Sequence, residues 1–408
     1  MFELIRANKT KSWILIVVLT AVLVALGYVV GSVWTGSGAV GVVIAVIIAV
    51  VLTCIAFFAG DKAMLAMSHA HEIQKRDAPQ LFNVVEEMSI AGMMPMPKVY
   101  VIDDEALNAF ATGRKPENAS VAITKGLLMR LNRDELQGVI AHEMSHIRNH
   151  DILFMTLAGV MVGAIALLAD AFLRGMWLTG GRRRRSSRDS GGGAQAILLI
   201  IGIIAAILAP IVARLLYLAC SRRREYLADA SAAQLTRYPE GLASALEKLT
   251  QDRQPLQAAN RATAPMYIVN PVASLRSGGA SLFSTHPPTQ DRIAILRAMG
   301  NSASMVAYEQ AWKKSHPGEG LASAAGIKEA SKEAAVRKPV DKPTPRETPK
   351  KRLERAHQAL DMVRRVGGFL FLPCACGAQL KIPPSYKRPQ VRCPRCGGVH
   401  NVSDARSA

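Results

Sequence analysis

The chain has 408 residues, enough for two or three domains and a sizeable core, and half of it is hydrophobic although aromatics make up only 5%. The formal charge of +19 is uneven, since residues 301–408 hold 20 Lys and Arg against 9 Asp and Glu. The apolar residues are clumped rather than periodic, which excludes a chain that lies wholly in water. The short cysteine spacings near the C-terminus exclude a disulfide framework and point to a reducing compartment.

The first apolar run covers residues 13–34 and the second 39–59. Arg6, Lys9 and Lys11 precede them, Lys62, Lys75 and Arg76 come after, and the turn Thr35-Gly36-Ser37-Gly38 has no charge. No small-residue cleavage site stands out. This pattern predicts a transmembrane hairpin over 1–60 with both flanks in the cytoplasm, not a removed signal peptide.

Residues 60–150 read as an α+β unit: a helix over 64–91, a breaker from Gly92 to Pro97, and strands at 98–102 and 119–124. Asn132-Arg133-Asp134-Glu135 predicts a helix start, with Asn as cap and Glu at the third position. Leu136, Val139 and Ile140 carry that helix into His142-Glu143-Met144-Ser145-His146. Histidines four apart share one helix face, about 6 Å along its axis, so both imidazoles can bind one Zn²⁺. Glu143 beside them can take the proton of a zinc-bound water.

Two further apolar runs come next, 152–173 and 194–219, joined by a loop with Arg174, Arg182, Arg183, Arg184, Arg185 and Arg188. If both runs span the bilayer, that basic loop is extracytoplasmic, against the usual charge rule. If they form a buried or re-entrant hairpin, it stays inside. Either way an even number of spans keeps the chain beyond residue 219 in the same compartment as His142.

A catalytic zinc needs a third protein ligand. Glu225 and Asp229 lie four apart after the last run, hence on one helix face. Glu225 can be that ligand and Asp229 can orient a histidine through its free ring N–H. A surface carboxylate pair offsetting Arg222, Arg223 and Arg224 is the alternative on residue types alone.

HEMSH after a hydrophobic hairpin, an apolar pair, and then Glu225-Tyr226-Leu227-Ala228-Asp229 together resemble the HtpX family of membrane zinc endopeptidases, relatives of the type 1 CAAX prenyl proteases. Met96 to Tyr100 with Asn108-Ala109-Phe110-Ala111-Thr112-Gly113, and Ser284 to Ile293, resemble further elements of that family. The resemblance covers about residues 1–300. It implies a zincin-like α+β metalloprotease domain over 61–300, with His142, His146 and Glu225 as zinc ligands, Glu143 as general base and Asp229 behind a ligand. It also implies that His286 and Arg292 lie in the cleft, His286 donating to the developing oxyanion, and that Asn108 flanks the substrate. The expected activity is hydrolysis of misfolded or damaged membrane proteins, as quality control under stress. The expected place is the bacterial inner membrane, with the active site facing the cytoplasm.

Beyond residue 300 the sequence departs from that family. Residues 301–368 read as a basic flexible linker, with a short helix over 350–366 that can lie on anionic lipid. Cys374-x-Cys376-Gly377 and Cys393-x-x-Cys396-Gly397 then resemble a zinc ribbon within 369–408, its first knuckle shortened to CxC. Four cysteines so spaced predict a second, structural Zn²⁺; a redox dithiol is the competing reading. Aromatics for stacking bases are few (Phe369, Phe371 and Tyr386), so the expected partners are membrane lipids, polypeptide substrates and a protein docked on the ribbon rather than nucleic acid. A non-catalytic membrane scaffold and a membrane-tethered nucleic-acid-binding protein are the rival functions. An intact Glu143 argues against the scaffold.

Overall fold

The computed structural model describes residues 2–179, 192–252, 254–257, 266–269, 286–300, 302–318, 320–321, 336–337 and 349–405. The basic tract Arg182–Arg188, the pair Ser284-Thr285 and, of the expected linker, residues 322–335 and 338–348 lie outside the described residues.

Helices α1 (Phe2–Trp34) and α2 (Gly38–Met67) form the expected hairpin, turning at Gly36 with φ 72°. Small residues let the two backbones meet. A Cβ on Gly31 would sit 2.6 Å from Gly41 Cα, and one on Gly27 would be 2.7 Å from Ala45 Cβ. The helix expected over 64–91 is instead broken. The chain leaves α2 at Ser68, takes a positive φ at His69, and adds a short strand β1 (Ala70–Glu72) before α3 (Pro79–Gly92) begins. Pro79 in the first turn of α3 explains the break, because proline starts a helix well but cannot continue one.

Strands β2 (Lys98–Ile102), β3 (Ala109–Thr112) and β4 (Ser120–Thr124) complete a four-stranded sheet of order β1-β2-β4-β3, in which only the β2–β4 pair is parallel. One face packs on α3 and on α5 (Arg133–Arg148), which comes after the short helix α4 (Lys125–Arg130). The capping box read from the sequence forms: Asn132 Oδ1 accepts from Glu135 N, and Asn132 N donates to Glu135 Oε2, both at 2.8 Å. β3 is an edge strand beside α5.

Helices α6 (Asp151–Thr179) and α7 (Gly192–Thr236) carry the later apolar runs. Each is continuous, and with α1 and α2 they are long and apolar enough to cross a membrane. The 45-residue α7 passes through Pro210 and leaves the apolar bundle as part of the soluble domain. Helix α8 (Pro239–Gln251) packs on α5 so closely that a Cβ on Gly138 would lie 2.6 Å from Leu242 N. Helix α9 (Thr289–Ala298) is next in the chain.

The expected linker from 301 does not begin there. Helix α10 (Met305–Ser315) buries Met305, Tyr308 and Trp312 in the main core, where Trp312 meets Tyr226 edge-on at 4.4 Å. Helix α11 (Pro349–Val366) exists as expected but does not lie free for lipid: Ala359 and Met362 are buried, and Met362 joins the main core. The amphipathic face that suggested a bilayer contacts α4 instead. Two hairpins complete the described chain, β5 (Leu370–Pro373) with β6 (Gln379–Ile382), and β7 (Gln390–Arg392) with β8 (Val399–Asn401).

Candidate active site

The residues of the motif sit on the buried last two turns of α5, where His142 and Glu143 are at most 2% exposed. His142 Nε2 and His146 Nε2 converge to 3.2 Å. From α7, Glu225 Oε1 lies 3.4 Å from His146 Nε2, and Oε2 lies 3.7 Å from His142 Nε2. One ligand atom from each of these three residues falls within 4.8 Å of the others.

The far nitrogen of each imidazole faces a carboxylate. His142 Nδ1 is 3.0 Å from Asp229 Oδ1, and His146 Nδ1 is 3.2 Å from Asp151 Oδ2. A carboxylate there keeps the proton on Nδ1 and leaves the Nε2 lone pair directed inward. Two such lone pairs and the buried Glu225 carboxylate converge as a set of three donors. A divalent cation suits it, and a His₂Glu donor set is suited to zinc. Burial opposes protonation of both imidazoles, but Asp229 and Glu225 outweigh it at His142, and Asp151 and Glu225 do so at His146. Both are held above the usual range, His146 well above. Burial also lifts Glu143 above the usual carboxylate range, with His142 and His146 pulling the other way. A backbone group of Ala111 on β3 also favours the ionised form of Glu143, which puts the edge strand beside the motif.

Arg292 on α9 is fully buried and grips Asp229 through Nε at 2.8 Å and Nη2 at 2.7 Å; Nη1 lies 3.5 Å from Glu225 Oε2. His286 Nδ1 lies 3.0 Å from the same oxygen, so His286 sits beside Glu225. Asn108 is buried, and its amide donates to Val269 O at 2.9 Å while its Oδ1 accepts from Ala109 N at 3.1 Å. It organises the start of β3. His142, His146, Glu225, Asp229, His286 and Arg292 are thus brought into contact, with Glu143 beside them on α5.

Sequence reasoning misses Asp151 and Arg224. Asp151 comes five residues after the motif, a spacing with no meaning on a straight helix. A left-handed residue, His150 with φ 58°, starts α6 at a new angle and returns Asp151 to His146. Arg224 Nη1 then meets Asp151 Oδ1 at 2.6 Å. A buried arginine one residue before Glu225 is concealed in a run of three.

At the other end of the chain, four sulfurs cluster: Cys374 to Cys396 at 3.4 Å, Cys376 to Cys374 at 3.5 Å, and Cys376 to Cys393 at 3.7 Å. A tetrahedron with zinc–sulfur bonds of about 2.3 Å has edges of about 3.8 Å, close to these spacings. Backbone N–H groups of Cys396 and Arg395 hold the Cys393 thiol down at about 6, while burial and the adjoining thiols push Cys374 up to about 12, so the thiolate forms first at Cys393.

Residues 75–300 match peptidase family M48. The protease HtpX homolog of Dictyoglomus thermophilum is 48% identical over 299 residues, 73% of this chain and 95% of that protein. The HtpX homolog of Streptococcus gordonii is 42% identical over 73% of this chain and its own full length. The crystal structure of S. mikatae Ste24p is similar with a TM-score of 0.42 and 19% identity, covering 72% of this chain and 67% of that one.

Proposed function

The chain belongs to peptidase family M48 as a membrane zinc metalloprotease, and we propose that His142, His146 and Glu225 hold the catalytic zinc, with Glu143 as general base. The observation that carries this reading is the convergence of two Nε2 atoms and the Glu225 carboxylate next to a buried Glu143. Zinc bound there would polarise a peptide carbonyl and lower the pKa of water. Glu143 would accept the proton of the attacking water and pass it to the leaving amine. Asp229 and Asp151 would keep the two imidazoles in the ligating tautomer. Arg292 fixes Asp229, and His286 would stabilise charge on the carbonyl oxygen from beside Glu225. Strand β3 is at the sheet edge, with the Ile268 N–H already on Ala109 O, so an extended polypeptide could add along Ala111 and Thr112, with Asn108 setting the start of that edge.

The test is zinc content of detergent-purified wild type and Glu225→Ala, with cleavage of unfolded casein measured in and out of chelator. Close to two zinc in the wild type, one in the variant and loss of cleavage are expected. Unchanged zinc and cleavage in the variant would remove Glu225 from the site.

We assign the second zinc to Cys374, Cys376, Cys393 and Cys396, and to the module they close a role in docking substrate or partner. Cysteine-to-serine changes that left both zinc content and substrate range alone would overturn this. The active site is assigned to the cytoplasmic face of a bacterial inner membrane, on the basic flanks of the α1–α2 hairpin and its uncharged turn. An impermeant thiol reagent should then label Gly36→Cys from outside intact cells; labelling only after lysis would reverse the orientation. Quality control of damaged membrane proteins fits a site set at the end of membrane helices. A deletion strain that cleared misfolded membrane proteins at the wild-type rate would refute that role.

A further inference from the structure

The two ligand histidines are steadied by different assemblies. Behind His142, Asp229 is gripped by Arg292, and both lie in the catalytic domain. Behind His146, the contacts run into the membrane bundle. His146 Nδ1 faces Asp151 Oδ2 at 3.2 Å, Asp151 Oδ1 faces Arg224 Nη1 at 2.6 Å, and Arg224 Nη2 donates to Ser12 Oγ on α1. Ser12, Asp151 and Arg224 are each 2% exposed or less. The guanidinium also lies 5.7 Å from the ring of Phe154, which meets Trp13 edge-on at 5.7 Å. Consecutive residues of α1 therefore hold Arg224, one through a hydroxyl and one through an aromatic ring.

Few proteins bury an arginine and an aspartate for stability alone, because desolvating them cancels most of their attraction. Here the pair has a geometric consequence. Arg224 takes one oxygen of Asp151, and the other is left aimed at His146 Nδ1. If α1 moved away from α6 and α7, Arg224 would lose the Ser12 hydroxyl and the backing of Trp13 on Phe154, and Asp151 would no longer be held in one rotamer.

We propose that Asp151 is the positioning residue for His146, and that α1, acting through Ser12 and Arg224, is a structural part of the metal site. The first membrane helix thus sets how firmly zinc is held, and disturbance of its packing is transmitted to the site along this chain of bonds. This inference rests on the reading of His142, His146 and Glu225 as zinc ligands.

Zinc affinity in the full-length, detergent-solubilised protein tests it, by chelator competition at the site that Glu225→Ala empties. Thermal midpoints and the visible spectrum of the cobalt-substituted protein are recorded alongside. Asp151→Asn is expected to weaken zinc 10- to 100-fold, in the range of other supports to ligand histidines. Ser12→Ala is expected to weaken it roughly five-fold, with a shifted cobalt spectrum, and Ser12→Thr to restore both. In the Asp151→Asn background Ser12→Ala should add nothing, because the route is already cut. Wild-type zinc affinity in Ser12→Ala, or a full additional loss in the double variant, would overturn the proposal. If Asp151→Asn does not fold, the contrast of Ser12→Ala with Ser12→Thr decides alone. A wild-type protein with no Glu225-dependent zinc would instead refute the ligand assignment itself.

Discussion

Arg292 and Asp229 form a two-point pair, Nε to Oδ2 at 2.8 Å and Nη2 to Oδ1 at 2.7 Å, while Asp229 Oδ1 also faces His142 Nδ1 at 3.0 Å. The guanidinium fork fixes the carboxylate plane, and the plane fixes the imidazole. Lysine has a charge but no fork. Arg292→Lys should therefore leave a folded protein whose zinc affinity and cleavage rate both fall about 10- to 100-fold. Arg292→Ala leaves Asp229 buried and unpaired and should cost about 3–5 kcal/mol of stability. Chelator competition and denaturant unfolding separate the two effects. Wild-type zinc affinity in Arg292→Lys would mean that charge alone positions His142.

Glu143→Gln separates chemistry from metal binding. The amide has nearly the shape of the carboxylate but cannot take a proton, so zinc should stay while cleavage falls by about 10²- to 10⁴-fold. A second consequence concerns stability in chelated protein. Burial raises the Glu143 carboxyl above its usual range. Below the unfolded-state pKa the group is neutral in both states, and the native state has no ionisation to oppose. As pH rises through the raised value, the wild type must ionise a buried carboxyl and loses stability that the glutamine variant keeps. The thermal midpoint of Glu143→Gln should draw ahead of wild type between mildly acidic and neutral pH. A gap independent of pH would place Glu143 in contact with water.

How far this site is legible in the sequence depends on the range of the forces involved. Local signals are legible: the Asn132–Glu135 capping box, the β-branched strand at 98–102, and histidines four apart on one helix face all form as expected. Glu225 and Asp229 are legible as a pair, but their partners come through a resemblance, because nothing local says which distant helix meets them. Asp151 depends on a left-handed turn at His150, where no glycine marks the reversal. The helix expected over 64–91 runs through a strand because β1 is three residues long and mostly exposed, with too little pattern to register. Residues 305–315 and 349–366 read as linker and lipid-facing helix since their composition is basic. In both, Met, Tyr, Trp and Ala on one face find the core of the domain instead.

Gly138 lies one turn before His142, where α5 crosses α8. An added Cβ would sit 2.6 Å from Leu242 N and 2.8 Å from Leu242 Cα, both backbone atoms that cannot swing aside. Gly138→Ala would ordinarily favour a helix. Here the clash should prevail, at about 1–3 kcal/mol for overpacking. Because α5 would have to shift, zinc affinity should fall with stability. A variant as stable as wild type would show that α8 can yield without moving the motif.

The seating of α11 gives the four-cysteine module a fixed address. Ala359 and Met362 are buried, the Arg365 guanidinium lies 4.9 Å from the Phe371 ring, and Lys381 pairs with Asp361, so the helix is fastened to the domain on one side and to the module on the other. A module on a slack tether would sample all directions, whereas this one is held beside α4. Met362→Asp puts an unpaired charge into that seam and should release α11 while leaving zinc in the catalytic site. Hydrogen exchange of residues 349–366 should rise steeply in the variant, and exchange of 133–148 should stay at the wild-type level. If the module docks substrate from a fixed position, cleavage of large substrates should fall while that of short peptides does not. Equal loss on both would mean that α11 supports the catalytic core rather than placing the module.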